Sequence, residues 1–582
     1  MSEPYWVESF TATERARLSP HVSNLDGPVF TLRDLPQVTC AALFARYSRS
    51  PKSLRRLLLD EFLDIDPSPP GARPDGDPAA AAPAPDTSTA EPVSAGPGGE
   101  RAGRLFSRVL AEYGDDSVAQ LAGVHLACEQ VSQPLAKAIE WGRLAGYLEQ
   151  STRYIPYTDR RSGHYRYRRD PVLLASPHAG GYLTAMDGLF DTYSRSIEPL
   201  CAHLGSVVPA ESDPRAHRRA VRALALDMLR GLLPAGTVSN VGMFASPQAL
   251  EHMVLRLRTH PLPEARQYAE LVAAELRVAI PDFVTRLDRP ERGGVWADYL
   301  RETAASLGEA AATVAGLPVT ANAAPESPLG AGSRTQRGTD GLRPHLLPPN
   351  GLAHDGAEAV TLVDWDRDGE SDILAAALHP YTSLSHEQLR ATVAGLEPQG
   401  RAELFRAAAG QRLNRRHRPG RGFEHCEYTF EVVSDYGAFR DLQRHRLMTI
   451  QWQELTPALG YAIPAAVEAA GLAQAWRDAV DGAEAAWAAI RADLPQEAGY
   501  LVTLGHRLRY LIRLNAREAM HLIELRTSPQ GHPEYRRICQ EMHRLIDTVA
   551  GHHLVAESMR FVNSEDVHLP RYAAEATRPE RE

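Results

Sequence analysis

Two pairs of segments recur in the same order along this chain. VFTL (29–32) followed by AALFARYSRSPKSLRR (41–56) parallels AVTL (359–362) followed by AAALHPYTSLSHEQLR (375–390). Further on, LRTHPLPEARQYA (257–269) parallels LRTSPQGHPEYRRIC (525–539). Likeness at both ends of each half, with spacing roughly kept, implies a tandem duplication. Its period is far too long for a solenoid. A duplicated chain has a pseudo-two-fold character, so a site between the halves can draw different residues from each.

Composition places the boundaries. Residues 67–99 consist almost wholly of Pro, Ala, Gly, Asp, Ser and Thr. They offer too little apolar surface to offset chain entropy, which predicts a disordered insertion. A second such stretch, 316–356, reads as the linker. The expected domains are therefore 1–315 and 357–578. Helical periodicity dominates, with short strand-like runs such as PVFTL, AVTLVDW and YTFEVV, so the expected class is helix-rich α+β.

The net charge of −10 argues against a general nucleic-acid binder. No apolar run reaches the roughly 20 residues of a membrane helix. The N-terminal residues lack the basic start and apolar core of a secretory signal. The five cysteines, Cys40, Cys128, Cys201, Cys426 and Cys539, form no CxxC pair. The expectation is a cytoplasmic protein with reduced thiols and no metal.

The chemistry-bearing residues fall in four places. RDLQRHRLMTIQWQ (440–453) sets Arg444, His445 and Arg446 beside the aromatic run YTFEVVSDYGAF. That suits a partly buried anion or a flat heterocycle, since a guanidinium both forks onto oxyanions and stacks; the plain alternative is a charged helix end. RRHRPGRGFEH (415–425) is either a phosphate-closing loop or a solvated basic one. Asn515 and Glu518 resemble a capping box. In the helix they open, Arg517 and His521 share a face and Arg526 points elsewhere, so the plain reading is a capped helix with surface charges and a core histidine. EQSTRY (149–154) is either a phosphate cup of hydroxyl, guanidinium and free backbone N–H groups or a polar turn.

Together these residues resemble the flavin-dependent thymidylate synthases, whose signature has the form RHRxxSxNExSxRY. The second half has the preceding FEH at Phe423–His425, RHR at Arg444–Arg446, and Asn515, Arg517 and Arg526 downstream, then HPEYR. It departs at Thr449, Gln451 and Trp452 and lacks SxRY. The first half has WGR (141–143) in place of RHR, but Glu149, Ser151, Arg153 and Tyr154 match the end of the signature. LRGLLP, with Arg230, resembles the family's segment with a phosphate-binding arginine. The helix positions matching Asn and Arg fall on Ser246 and Gln248. Each half keeps what the other has lost.

The resemblance implies two divergent copies of that family's domain forming a pseudo-dimer, with a homodimer of such chains mimicking the family's tetramer. It assigns His425, Arg444, His445, Arg446, Asn515 and His521 to FAD. Glu149, Ser151, Arg153, Arg230 and Arg526 go to dUMP, and Arg526 and Arg444 to the chemistry. The implied reaction is reductive methylation of dUMP to dTMP, with methylenetetrahydrofolate and NADPH as co-substrates. Alternatives are a flavin-binding relative acting on another pyrimidine nucleotide and a non-catalytic nucleotide-binding protein of the same fold.

Overall fold

The computed structural model describes residues 9–22, 25–26, 32–47, 52–63, 120–161, 163–208, 213–314 and 359–565. The expected insertion at 67–99, the linker at 316–356 and most of the PVFTL run lie outside these residues. The described chain is α+β and helix-rich, with small antiparallel sheets.

Among the described residues the two halves share a common succession, to which the first adds a helix before its third strand and the second a strand at its start. In the first, α1 (Gln37–Tyr47) is followed by β1 (Val124–Val131), α2 (Gln133–Ile139) and β2 (Ala145–Glu149). Then come α3 (Ala179–Val207), α4 (Pro214–Leu229), β3 (Ser239–Ala245), α5 (Pro247–Arg258) and α6 (Pro263–Ala279). In the second, β4 (Val360–Trp365) and α7 (Gly369–Leu378) lead to β5 (Glu427–Asp435), α8 (Tyr436–Leu442) and β6 (Thr449–Trp452). They are followed by α9 (Ala473–Arg491), β7 (Arg507–Asn515), α10 (Ala516–Arg526) and α11 (Pro533–Thr548). The sheet orders correspond: β1–β3–β2 in the first half, and β5–β7–β6 with β4 added at the edge in the second.

The local chemistry behind this succession is duplicated too. In each half two strands run directly into a helix through a capping side chain, which satisfies an otherwise orphaned N–H of the first turn. Ser132 caps α2 and Asp435 caps α8; Ser246 caps α5 and Asn515 caps α10. The Asn515 Oδ1 accepts from the Glu518 N–H at 2.9 Å. Both α6 and α11 start at a proline, whose missing N–H costs nothing there.

In the second half β5 pairs antiparallel with β7 from Glu427↔Asn515 to Asp435↔Arg507, and β6 pairs β7 from Thr449↔Arg513 to Trp452↔Tyr510. This register turns Tyr428, Phe430, Val432, Tyr510, Ile512 and Leu514 inward, where all are buried. The amphipathic α11 buries Ile538, Met542 and Ile546.

The chain divides into two compact units: residues 1–128, 144–148 and 242–334, and residues 129–143, 149–241 and 335–582. The second unit thus draws on both halves of the sequence. Within it α3 packs on α9. Residues 233–236 pair with 500–504: Ala235 N–H donates to Val502 O, Gly236 N–H to Tyr500 O, and Leu504 N–H to Leu233 O. Among the described residues no helix is long and apolar enough to cross a membrane.

Candidate functional site

Everything in this section belongs to the second unit. Glu149, the last residue of β2, has a fully buried side chain. Arg444 Nη2 donates to its Oε2 at 2.7 Å, Lys137 Nζ of α2 to the same oxygen at 3.0 Å, and Arg440 of α8 to Oε1. Burial alone would push this carboxyl up; Arg440, Lys137 and Arg444 outweigh it and hold Glu149 well below the usual carboxylate range. The same seam carries Gln443 Nε2 to Lys137 O at 3.0 Å, and Arg143 Nη2 to Thr449 Oγ1 at 3.0 Å. Thus the WGR arginine of the first half meets the threonine that replaces the signature serine of the second.

Beyond Glu149 the turn places Ser151 and Arg153. The Ser151 Oγ accepts from the Arg153 N–H at 3.1 Å. The Arg153 guanidinium forks onto Asp227 of α4 at 2.7 and 3.2 Å, and also donates to Tyr535 Oη and Gln530 O. Arg230, just past α4, donates Nη1 to Asp441 Oδ2 at 3.3 Å. Arg444 Nη1 lies 3.7 Å from Asp441 Oδ1, and Arg526 Nη2 donates to the Asp441 main-chain carbonyl at 2.5 Å. Burial pushes the Asp441 carboxyl up, but Arg230, Arg444, Arg153 and Arg526 together hold it well below its ordinary value. A cavity of about 310 Å³ adjoins this cluster, with Arg230, Asp227, Asp435, His532 and Glu534 among its walls. There burial and the Glu534 carboxylate push Asp435 up to about 7.

His445 links α10 to the arginine cluster. Its Nε2 accepts from Arg526 Nε at 3.0 Å, so the ring proton sits on Nδ1, which donates to Glu518 Oε1 at 3.1 Å. Burial and the Arg526 and Arg418 charges keep this ring neutral. The His521 ring centroid lies 5.2 Å from that of His445, and burial pushes His521 down to about 4. His445, Glu518 and His521 bring possible metal-ligand atoms within 4.8 Å of one another. However, the one lone pair of His445 is already taken by Arg526, so the hydrogen-bonded chain runs Arg526–His445–Glu518, with His521 packed against the His445 ring.

The helical-wheel argument separated Arg526 from His521. In the structure both reach His445, because the long Arg526 side chain spans the angle between them. Arg517 instead donates to Pro419 O at 2.8 Å and to Glu424 at 3.2 Å, fastening the loop before the FEH segment. His425 and Arg444 are exposed and Arg446 is partly buried. Arg418 and Arg415 bear electrostatically on His521, and Arg418 on His445. The exposed Arg418 and Arg444 guanidiniums beside these neutral rings supply cationic, stackable groups that fit a flat anionic cofactor.

Sequence reasoning missed Asp441, Asp227, Tyr535 and Lys137. Asp441 had a readable clue, as the one acid within Arg440–Gln453. Asp227 and Lys137 had none, since they sit in ordinary helical patterns.

The chain is 34% identical over 576 residues to a UPF0159 protein of Chlamydia muridarum, with 98% of each chain covered. It is 33% identical over 569 residues to one from Chlamydia pneumoniae, with 97% of each covered. A UPF0159 protein of Thermoplasma acidophilum is 28% identical over 504 residues, 82% of this chain and 92% of the relative. The family model described as thymidylate synthase complementing protein matches residues 75–282 and again 361–551. The succession of strands and caps recurs in the same two stretches, and the chain belongs to the thymidylate synthase complementing protein family, with its domain present twice.

Proposed function

We propose that the chain is a flavin-dependent thymidylate synthase that methylates dUMP at C5, with methylenetetrahydrofolate as carbon donor and NADPH as reductant. The observation that carries this reading is the convergence of the two half-signatures: Glu149 of the first half lies against Arg440 and Arg444 of the second, and Arg153 of the first half and Arg526 of the second both lie over the Tyr535 ring. In this reading the two domain copies form a pseudo-dimer, residues 1–315 and 357–578 being the halves, and two chains pair as a homodimer.

The roles follow from charge and exposure. FAD, when bound, supplies the hydride. His425, Arg444, His445, Arg446, Asn515 and His521 would hold it, the neutral His445 presenting a fixed tautomer through Arg526 and Glu518. Ser151, Arg153 and Arg230 would receive the nucleotide phosphate, with Glu149 orienting Arg440 and Arg444. Arg526, permanently charged, would stand by the pyrimidine carbonyls as the ring gains electron density. No protein nucleophile is required, consistent with the deep burial of Cys128, Cys426 and Cys539.

Two observations favour a second reading, a different pyrimidine nucleotide or a non-catalytic nucleotide binder. Gln451 and Trp452 replace signature residues, and the arginines already carry internal carboxylate partners. The deciding experiment is to load the protein with FAD, desalt it, and record the visible spectrum with and without dUMP. A retained flavin spectrum that shifts with dUMP, followed by dTMP formation, is the expected result. A folded, colourless protein with no shift removes the enzyme reading.

A further inference from the structure

We propose that Asp441 is a built-in counter-anion of the arginine cluster, and that a ligand phosphate binds by displacing its carboxylate from Arg230 and Arg444. This assignment deepens the proposed function and rests on it only for the identity of the ligand. The geometry is that of an occupied anion site. The Asp441 side chain is 9% exposed, Arg230 Nη1 lies 3.3 Å from one oxygen and Arg444 Nη1 3.7 Å from the other. Arg526 grips the main-chain carbonyl of the same residue. Arg153, forked onto Asp227 in the same cluster, adds its positive charge to the field on Asp441.

A buried guanidinium such as that of Arg230 needs a counter-charge, and a carboxylate presents the same pair of oxygens that one face of a phosphate would. The two contacts made by the Asp441 side chain are the longest ion-pair distances in the cluster, apart from the 3.8 Å between Arg230 Nε and Asp227. By contrast, Arg153 holds Asp227 at 2.7 Å and Arg444 holds Glu149 at 2.7 Å. The carboxylate with these longer contacts is therefore the one that an incoming oxyanion, presented to the same guanidiniums, can replace, while Asp227 and Glu149 keep the remaining guanidiniums in place. While Asp441 is ionised, each phosphate charge brought into the cluster is opposed by a fixed negative charge at short range. Removing that charge should strengthen phosphate binding, the reverse of what deleting a buried polar group in a binding site ordinarily does.

The test is calorimetric titration of FAD-loaded wild type, Asp441→Asn and Asp441→Ser with dUMP, with deoxyuridine and with inorganic phosphate, each variant checked for folding by its melting temperature. Two substitutions of different size guard against a local packing failure. The expected result is an affinity gain of about 10-fold for dUMP and for inorganic phosphate in both variants, with deoxyuridine unchanged. Phosphate and dUMP affinities that stay the same or fall in folded variants overturn the proposal. Absence of dUMP binding in all three proteins would instead count against the nucleotide reading. The inorganic phosphate titration then still decides the role of Asp441.

Discussion

Arg444 Nη2 lies 2.7 Å from Glu149 Oε2, although the two residues are 295 positions apart. Three cations share this one buried carboxylate, so Glu149 is both a hinge between the halves and their electrical ground. Truncating one partner of a buried pair strands the rest, at a cost of about 3–5 kcal/mol. Glu149→Ala should lower unfolding stability by that amount in a denaturant titration. Glu149→Gln, which keeps an acceptor, should lose less. A variant within experimental error of wild type would show that water reaches the seam.

Arg153 makes a forked ion pair with Asp227 and two further hydrogen bonds to Tyr535 and Gln530. Lysine can supply the charge but not the fork. Arg153→Ala should weaken dUMP binding by about 10-fold or more and abolish turnover, with Arg153→Lys intermediate. Unchanged dUMP affinity in Arg153→Ala would take the first half out of the site.

Asp435 carries a linkage that can be read in a pH titration. Its carboxyl rises from 3.8 to about 7 on folding, through burial and the nearby Glu534 carboxylate. The folded state therefore binds this proton more tightly than the unfolded chain. Its contribution is fully present below about pH 4 and is lost as the pH rises through about 7. Asparagine preserves both the cap of α8 and neutrality. Asp435→Asn should gain stability relative to wild type as pH rises from about 4 to 7. Parallel stability profiles for the two proteins would refute the shift.

The thiols should be silent. Burial pushes Cys128 up to about 11 and Cys426 and Cys539 up to about 12. The half-buried Cys40 and Cys201 are raised as well. Thiolate, not thiol, reacts with alkylating agents. Treating the native protein with iodoacetamide near neutral pH should leave dTMP formation intact, whereas loss of turnover would bring a cysteine into the reaction.

The duplicated architecture could be read from LRTHP/LRTSP because both copies sit where a helix ends, at Arg258 and at Arg526, and the backbone there allows few residue types; AVTL leads into β4. Asn515 as a cap was legible for the same reason, and the α+β class from helical periodicity and short strand-like runs. The charge pairing was not. Whether an arginine faces a ligand or an internal carboxylate depends on residues brought from the other half, and Asp227 carries no local mark of its partner Arg153. The wheel for α10 likewise located Cα directions and not the reach of a guanidinium, so it set Arg526 apart from the histidines it joins.

The Glu149–Arg444 separation also has a consequence for synthesis. At about 5–20 residues per second, Arg444 leaves the ribosome on the order of 15–60 s after Glu149. Throughout that interval the nascent first half holds the Glu149 carboxylate without its two arginine partners, with Lys137, itself shared with Glu140, as the remaining cation. Its final burial cannot be local. In a single chain the first half therefore waits for these counter-charges to be synthesised, a delay that two separately made subunits would meet instead as a search for one another.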